Sequence, residues 1–162
     1  MQRVLIPPHL ATLPEALPVG EQFTLGGQTM GTTWTVRYID PQLRAQHAIS
    51  VLIQNELDLV VRQMSTWQDH SNLSQFNNAE ANTWHLLPDA FFTVIDCALN
   101  IAADTNGAFD PTVGPLVNLW GFGPHGSRAS PPSADEIERL QARCGWQRLQ
   151  LDAKNKQLRQ PG

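Results

Sequence analysis

The chain has 162 residues, 41% of them hydrophobic, with 12 prolines, 11 glycines and a formal net charge of −4. This length and composition suit one globular domain and exclude a collagenous, fully disordered or membrane-spanning class. Acidic residues outnumber basic ones by 15 to 11. The chain therefore lacks the basic field of a nucleic-acid binder, and we do not expect a polyanion partner.

Two features bear on the cellular compartment. Cys97 and Cys144 lie in helix-like apolar patterns, which favours two buried free thiols over a disulfide or a zinc site. Before Pro7 the chain has one basic residue and an apolar run of three residues. That run is too short for the apolar region of a signal peptide, so we expect no export leader in this chain.

The first part of the chain predicts an arm followed by a hairpin. Residues 1–21 contain four prolines, which prevent regular hydrogen-bonded structure and predict an extended N-terminal arm ahead of a domain at 22–162. Residues 22–25 and 32–38 are predicted strands, because apolar and polar residues alternate in the second. Gly26–Gly27 between them is interpreted as the hairpin turn.

Two long helices are predicted next. The first runs from about Pro41 to Met64, where apolar residues recur at steps of three and four. The second runs from about Pro88 to Thr105 and ends at Asn106–Gly107. Both are long enough to bury one face against a sheet.

A third helix is predicted between Ser133 and Gly145, with a capping box formed by Ser133 and Glu136 and a left-handed terminal position at Gly145. Residues 148–151 and 157–159 then flank a polar turn, which predicts a second hairpin. An isolated two-stranded hairpin is marginal, so we expect the chain to end before the elements that cover it. Together these elements predict an α+β fold with a mostly antiparallel sheet and packed helices.

Residues 105–124 have the composition of a ligand-binding loop, because four glycines and three prolines alternate with bulky apolar residues. Glycines allow the backbone to approach a ligand, Pro111 holds Asp110 extended, and aromatic side chains supply flat walls. In the alternative interpretation the loop is purely structural and Asp110 caps its own turn through Thr112. Composition alone does not decide between the two.

Two further segments carry candidate binding residues. Trp67 follows the first helix and would either stack on a planar ligand or merely cover the helix end. His70, between polar neighbours, is interpreted as exposed rather than catalytic. Met30, beside Gly31, would either line a pocket or fill a gap in the core. None of the common phosphate-loop, dinucleotide-binding, serine-hydrolase or zinc-protease motifs is present.

Three motifs together resemble the ApbE family, whose members are FAD:protein FMN transferases. They are MGTT at residues 30–33, MSTWQDHSNLSQFN at 64–77 and GAFDPTVGPLVNLWGFG at 107–123, and they occur in the family's order and spacing. The similarity covers about residues 22–159. It implies an ApbE-like α+β fold in which residues 22–162 form the N-terminal half of a flavin transferase domain.

The resemblance also implies a reaction. A Ser or Thr hydroxyl of a target flavoprotein attacks the FMN phosphorus of bound FAD, AMP leaves, and Mg²⁺ neutralises charge on the leaving phosphate. The family's FAD contacts carry over to five positions: Met30, Trp67, Ala108, Phe109 and Asp110. The family usually has tyrosine where this chain has Trp67, which keeps a stacking face but lacks the phenol hydroxyl.

The family's metal ligands and its phosphoryl-transfer histidine lie beyond the part of the family that this chain matches, so the resemblance assigns no catalytic residue and no metal ligand here. We therefore expect the chain to supply part of the FAD pocket and to be catalytically incomplete alone. Asp110, a lone carboxylate, is expected to hydrogen-bond FAD rather than to bind Mg²⁺.

Two other functions stay open at this point: an FAD-binding or chaperone-like module without transferase activity, and an inert fragment. The resemblance further implies periplasmic or membrane-anchored placement, because the family is generally exported. Residues 1–20 contain no cysteine for a lipid anchor.

Overall fold

The computed structural model describes residues 19–40, 46–124 and 126–162. The chain divides into two compact units, residues 1–52 and 53–162. The predicted arm at 1–21 lies outside the described residues except for its last three positions. In the described ranges, no helix has the length and apolar character needed to cross a membrane.

The first unit contains an antiparallel hairpin of β1 (Gln22–Thr29) and β2 (Thr32–Ile39). Its turn is Met30–Gly31, since Thr29 pairs with Thr32 and both turn residues have positive φ, 49° and 73°. This is the backbone of a two-residue turn that matches the twist of the strands. The predicted turn at Gly26–Gly27 is therefore wrong.

Both glycines lie inside β1, and at Gly27 the reason is a neighbouring aromatic side chain. Gly27 pairs with Trp34, and a Cβ atom on Gly27 would lie 2.7 Å from Trp34 Nε1. Real Cβ atoms do not approach other atoms so closely, so Gly27 leaves the space in which the indole ring lies across the strand. Gly27 therefore serves cross-strand packing rather than chain reversal.

Two helices come next. Helix α1 spans Gln46–Met64, and its predicted start at Pro41 lies outside the described residues. Helix α2, Asn72–Asn77, is capped by Ser71, whose Oγ accepts a hydrogen bond from the Ser74 N–H. The sequence did not predict α2, because six residues are too few for a helical period to show.

The second unit contains a three-stranded antiparallel sheet in the order β3-β5-β4. Its strands are β3 (Trp84–Leu86), β4 (Gln150–Asp152) and β5 (Gln157–Arg159). The expectation that the β4–β5 hairpin lacks a covering element within this chain is wrong, because β3 pairs along β5 and Leu158 is 1% exposed. The strand predicted at residues 148–151 begins at Gln150 instead, and residues 146–148 form a 3-10 turn.

Helix α3, Asp89–Asp104, follows the prediction closely and supplies much of the core. Four buried side chains form its centre: Phe76, Leu87, Phe91 and Leu158. Cys97 is exposed and Cys144 half-buried, and both thiols are free. The prediction of two buried thiols is wrong for Cys97, which lies outside the stripe of α3 that begins with the buried Phe91, and Cys144 is only partly buried.

Helices α4 (Gly114–Leu119) and α5 (Ala134–Gln141) complete the unit. Helix α4 lies inside residues 105–124, which the sequence presented as one irregular segment. The capping box of Ser133 and Glu136 is confirmed. Helix α5 ends at Gln141 rather than at Gly145, which instead has a φ of 137° and precedes the 3-10 turn.

Glu136 also binds Arg128. Both terminal guanidinium nitrogens of Arg128 donate to the Glu136 carboxylate, at 2.9 to 3.1 Å. The Ser133 N–H donates to the same carboxylate at 2.8 Å. The Arg128 hydrogen bonds, followed by that of the Ser133 N–H, lower the pKa of Glu136 to about 2.

This shift predicts a pH dependence of folding. A carboxylate whose pKa is lowered in the folded protein contributes stability that is present above its unfolded pKa and is lost as pH falls through the folded value. Between about pH 4.5 and 2 the free energy of unfolding of the wild type should fall as Glu136 is protonated. We expect this fall to be smaller in Glu136→Gln, measured by urea unfolding at each pH. Equal pH slopes for the variant and the wild type would contradict the assignment.

Candidate functional site

Trp67 is presented at the end of α1 by a group of serines. The Ser65 carbonyl accepts hydrogen bonds from Ser71 Oγ at 2.5 Å and from Ser74 Oγ at 3.1 Å. Ser65 Oγ accepts from the Trp67 N–H at 3.1 Å. Ser71 is fully buried, whereas the Trp67 side chain is 68% exposed. This exposure favours an indole face open for stacking over one that only covers the helix end.

The segment after α3 begins with a defined reversal. The Gly107 N–H donates to the Ala102 carbonyl at 2.8 Å and the Asn106 N–H to the Ala103 carbonyl at 3.1 Å. These two bonds, with Asn106 at a φ of 52°, form the Schellman termination of a helix. The predicted stop at Asn106–Gly107 is confirmed, and it directs the chain into residues 107–113, which we call the FDPT loop.

Asp110 holds the FDPT loop in place. Its Oδ1 accepts hydrogen bonds from the Thr112 N–H at 2.8 Å and from Thr112 Oγ1 at 2.6 Å. Its Oδ2 accepts from the Trp146 N–H at 3.1 Å, and Thr112 Oγ1 accepts from the Gly145 N–H at 2.7 Å. One carboxylate and one hydroxyl thus bind the loop to backbone groups more than 30 residues away.

The structural interpretation of Asp110, a cap on its own turn through Thr112, therefore describes the observed contacts. These contacts do not use the full hydrogen-bonding capacity of the carboxylate, since Oδ2 accepts one hydrogen bond and each carboxylate oxygen has two acceptor sites. The neighbouring Phe109 is 43% exposed, and Ala108 is exposed as well. The network therefore fixes a loop in which the two side chains just before Asp110 are exposed to solvent.

Cys144 lies close to this network. Burial and the negative charge of Asp110 raise the pKa of the Cys144 thiol, which therefore stays protonated and donates to the Leu140 carbonyl. Nearby, Trp146 Nε1 is buried without a hydrogen-bond partner and lies 3.4 Å from the position of a Cβ atom on Gly107. That separation is an ordinary van der Waals contact, so the requirement for glycine at residue 107 comes from its φ of 81°.

Met30 belongs to the first unit, whereas the other four predicted FAD contacts belong to the second. Its side chain is 59% exposed, and residues 28–33 line an open depression around it. The positive φ of 49° at Met30 is the one that its place in the two-residue turn requires. Met30 therefore presents its thioether at a turn and does not fill a core gap.

Sequence reasoning missed several residues that shape these segments: Ser65, Ser71, Ser74, Gly145 and Trp146. The serines were visible as a run of capping residues, but a capping pattern does not show which distant carbonyl a hydroxyl reaches. The bonds from Gly145 and Trp146 are made by backbone groups, which carry no residue-type signal.

A magnesium site does not fit the residues described here. Among the residues that the structure describes, no group of three or more His, Cys, Asp or Glu side chains is placed to hold a metal ion. Asp110 already accepts three hydrogen bonds, and Mg²⁺ requires near-octahedral oxygen coordination.

The network predicts a stability effect of Thr112. Thr112→Val removes the hydroxyl that both donates to Asp110 and accepts from Gly145, and we expect it to lower the free energy of unfolding by about 1–3 kcal/mol. Thr112→Ser keeps the hydroxyl and should restore most of the loss in urea unfolding. The control is Thr93→Val, which removes an exposed hydroxyl that bonds only within α3; a loss as large as that of Thr112→Val would contradict the prediction.

The chain is similar in sequence to curated flavin transferases. It is 40% identical over 141 residues to the FAD:protein FMN transferase of Klebsiella pneumoniae (strain 342), which covers 87% of this chain and 40% of that protein. It is 36% identical over 129 residues to the enzyme of the same name from Escherichia coli (strain K12), covering 80% of this chain and 37% of that protein. The chain thus spans about two fifths of the length of these relatives.

Solved structures show the same similarity. The flavin transferase ApbE of Vibrio cholerae matches 88% of this chain and 46% of its own, with a TM-score of 0.82 and 35% identity. The apo flavinyl transferase ApbE of Pseudomonas stutzeri matches 90% and 48%, with a TM-score of 0.80 and 32% identity. These likenesses confirm the predicted α+β fold. The sequence profile of the ApbE family matches residues 30–162. The chain therefore belongs to the ApbE family.

Proposed function

We propose that the protein containing this chain transfers FMN from FAD to a Ser or Thr hydroxyl of a target flavoprotein and releases AMP. The observation that carries the proposal is the FDPT loop, held by Asp110 and Thr112 within the region that matches the ApbE family. The relatives' names support FAD as the substrate and a protein as the acceptor. The hydroxyl acceptor and the release of AMP rest on the family resemblance.

In this proposal the described residues bind and orient FAD. Trp67 offers a flat, exposed face for a planar ring. Ala108 and Phe109 border the ligand, and Met30 contributes a flexible, polarisable thioether. The remaining acceptor site of Asp110 suits an N–H or O–H group, such as those of the flavin, adenine or ribose. It does not suit the pyrophosphate, whose charge the carboxylate would repel.

Two further parts of the proposal rest on the resemblance. Magnesium, if it serves the reaction, would be held by residues other than those described here, because the described carboxylates do not form a site. The protein would act in the periplasm or anchored to the membrane. Fractionation of the natural host, followed by detection of the protein in each compartment, tests the second point.

The transferase activity has a direct test. We expect the full-length protein, incubated with FAD, Mg²⁺ and a target flavoprotein, to produce a fluorescent flavin-labelled target band in a denaturing gel. The chain of residues 1–162 alone should give no such band. FAD binding by the full-length protein without any labelling, with Mg²⁺ present, would instead indicate a flavin-binding module.

Asp110→Asn tests the assigned role of the carboxylate. In the full-length protein we expect it to weaken FAD binding, measured by calorimetry without metal, by about 1–3 kcal/mol, because a charged hydrogen bond to the ligand is lost. Thr112→Val is the matched control, since it loosens the same loop but keeps the carboxylate. Unchanged metal-free affinity together with a raised magnesium requirement would make Asp110 a metal ligand.

A further inference from the structure

The Ser71 hydroxyl lies at the centre of the contacts that fix the segment before α2. Its oxygen accepts the Ser74 N–H at 3.0 Å, which caps α2, and its proton is donated to the Ser65 carbonyl at 2.5 Å. The residue is completely buried. A serine that needed only to cap a helix could remain exposed, as Ser133 does at the start of α5.

The second bond of Ser71 fixes the segment that carries Trp67. Ser74 Oγ donates to the same Ser65 carbonyl, and Ser65 Oγ accepts from the Trp67 N–H. The start of α2 is therefore tied to the residue two positions before the exposed indole. Ordering a binding side chain before the ligand arrives reduces the entropy cost of binding.

We propose that Ser71 is a positioning residue, which holds the backbone at residues 65–67 so that the Trp67 ring is ready to stack on the planar part of bound FAD. The choice of ligand rests on the proposed function; the positioning itself does not. Ser71 acts through Ser65 and does not need to touch the ligand.

The experiment compares two Ser→Ala changes that each remove a helix cap. Ser71→Ala removes the cap of α2 and the bond to the Ser65 carbonyl, whereas Ser133→Ala removes the cap of α5 and the bond from the hydroxyl to the Glu136 carboxylate. The full-length protein is labelled with 5-fluorotryptophan, and Trp67→Phe assigns the Trp67 resonance in the fluorine spectrum. Thermal unfolding and FAD calorimetry are recorded for each variant.

We expect both serine variants to lower the melting temperature, but only Ser71→Ala to shift the Trp67 resonance toward that of free 5-fluorotryptophan. Ser71→Ala should weaken FAD binding by about three- to tenfold, equivalent to breaking one hydrogen bond. Ser133→Ala should leave both readouts unchanged. If Ser71→Ala fails to fold, Ser71→Cys, which replaces the hydroxyl by a weaker hydrogen-bond donor and acceptor, should shift the same resonance by a smaller amount.

An unchanged Trp67 resonance in a folded Ser71→Ala protein would overturn the proposal. An equal loss of FAD affinity in Ser133→Ala would also overturn it, since a general loss of stability would then suffice. If the wild type binds no FAD while Ser71→Ala still shifts the Trp67 resonance, the proposed function fails and the positioning role of Ser71 stands.

Discussion

The candidate site depends on the hydrogen bonds that Asp110 accepts. Residues 107–113 leave α3 through a helix termination and contain no regular structure, so ordering their backbone costs about 1–2 kcal/mol per residue. Hydrogen bonds to a charged group, worth about 1.5–3 kcal/mol each, are among the few local interactions strong enough to offset that cost. Because Asp110 and Thr112 reach Gly145 and Trp146, the loop is fixed against the chain that leads into β4.

The Trp67 segment follows the same physical rule with neutral groups. Its serines bind backbone atoms, and a side chain bonded to the backbone fixes the main chain from which the aromatic ring projects. Both segments therefore combine a hydrogen-bonded backbone with an exposed aromatic side chain, Trp67 in one and Phe109 in the other. A surface of this kind favours a flat ligand, because its shape exists before the ligand binds.

Much of this fold follows from the sequence because its long elements carry a strong periodic pattern. Helix α3 and the capping box of α5 lie where the pattern places them. The short elements β3, α2 and α4 do not, since three to six residues contain less than two helical turns or a readable alternation. The hairpin turn was predicted at Gly26–Gly27 because the sequence pattern does not show that Gly27 contacts Trp34 on the neighbouring strand.

The candidate site was predictable to a similar degree. Motif resemblance selected Trp67 and Asp110, and local turn chemistry suggested that Asp110 caps through Thr112. The partners that give these residues their geometry could not be predicted, because a hydrogen bond from the Trp146 N–H to Asp110 spans 36 residues and leaves no pattern in either segment. Capping serines likewise predict where a helix starts, but they do not show which second carbonyl the hydroxyl binds.

Hydrogen exchange of the full-length protein with and without FAD, followed by mass spectrometry, tests most directly whether these two segments form the flavin-binding surface. We expect slower exchange on adding FAD in peptides covering residues 65–76 and 107–113, and unchanged exchange in α5 (Ala134–Gln141). Saturating FAD that leaves both segments unchanged while protecting other parts of the protein would contradict this assignment.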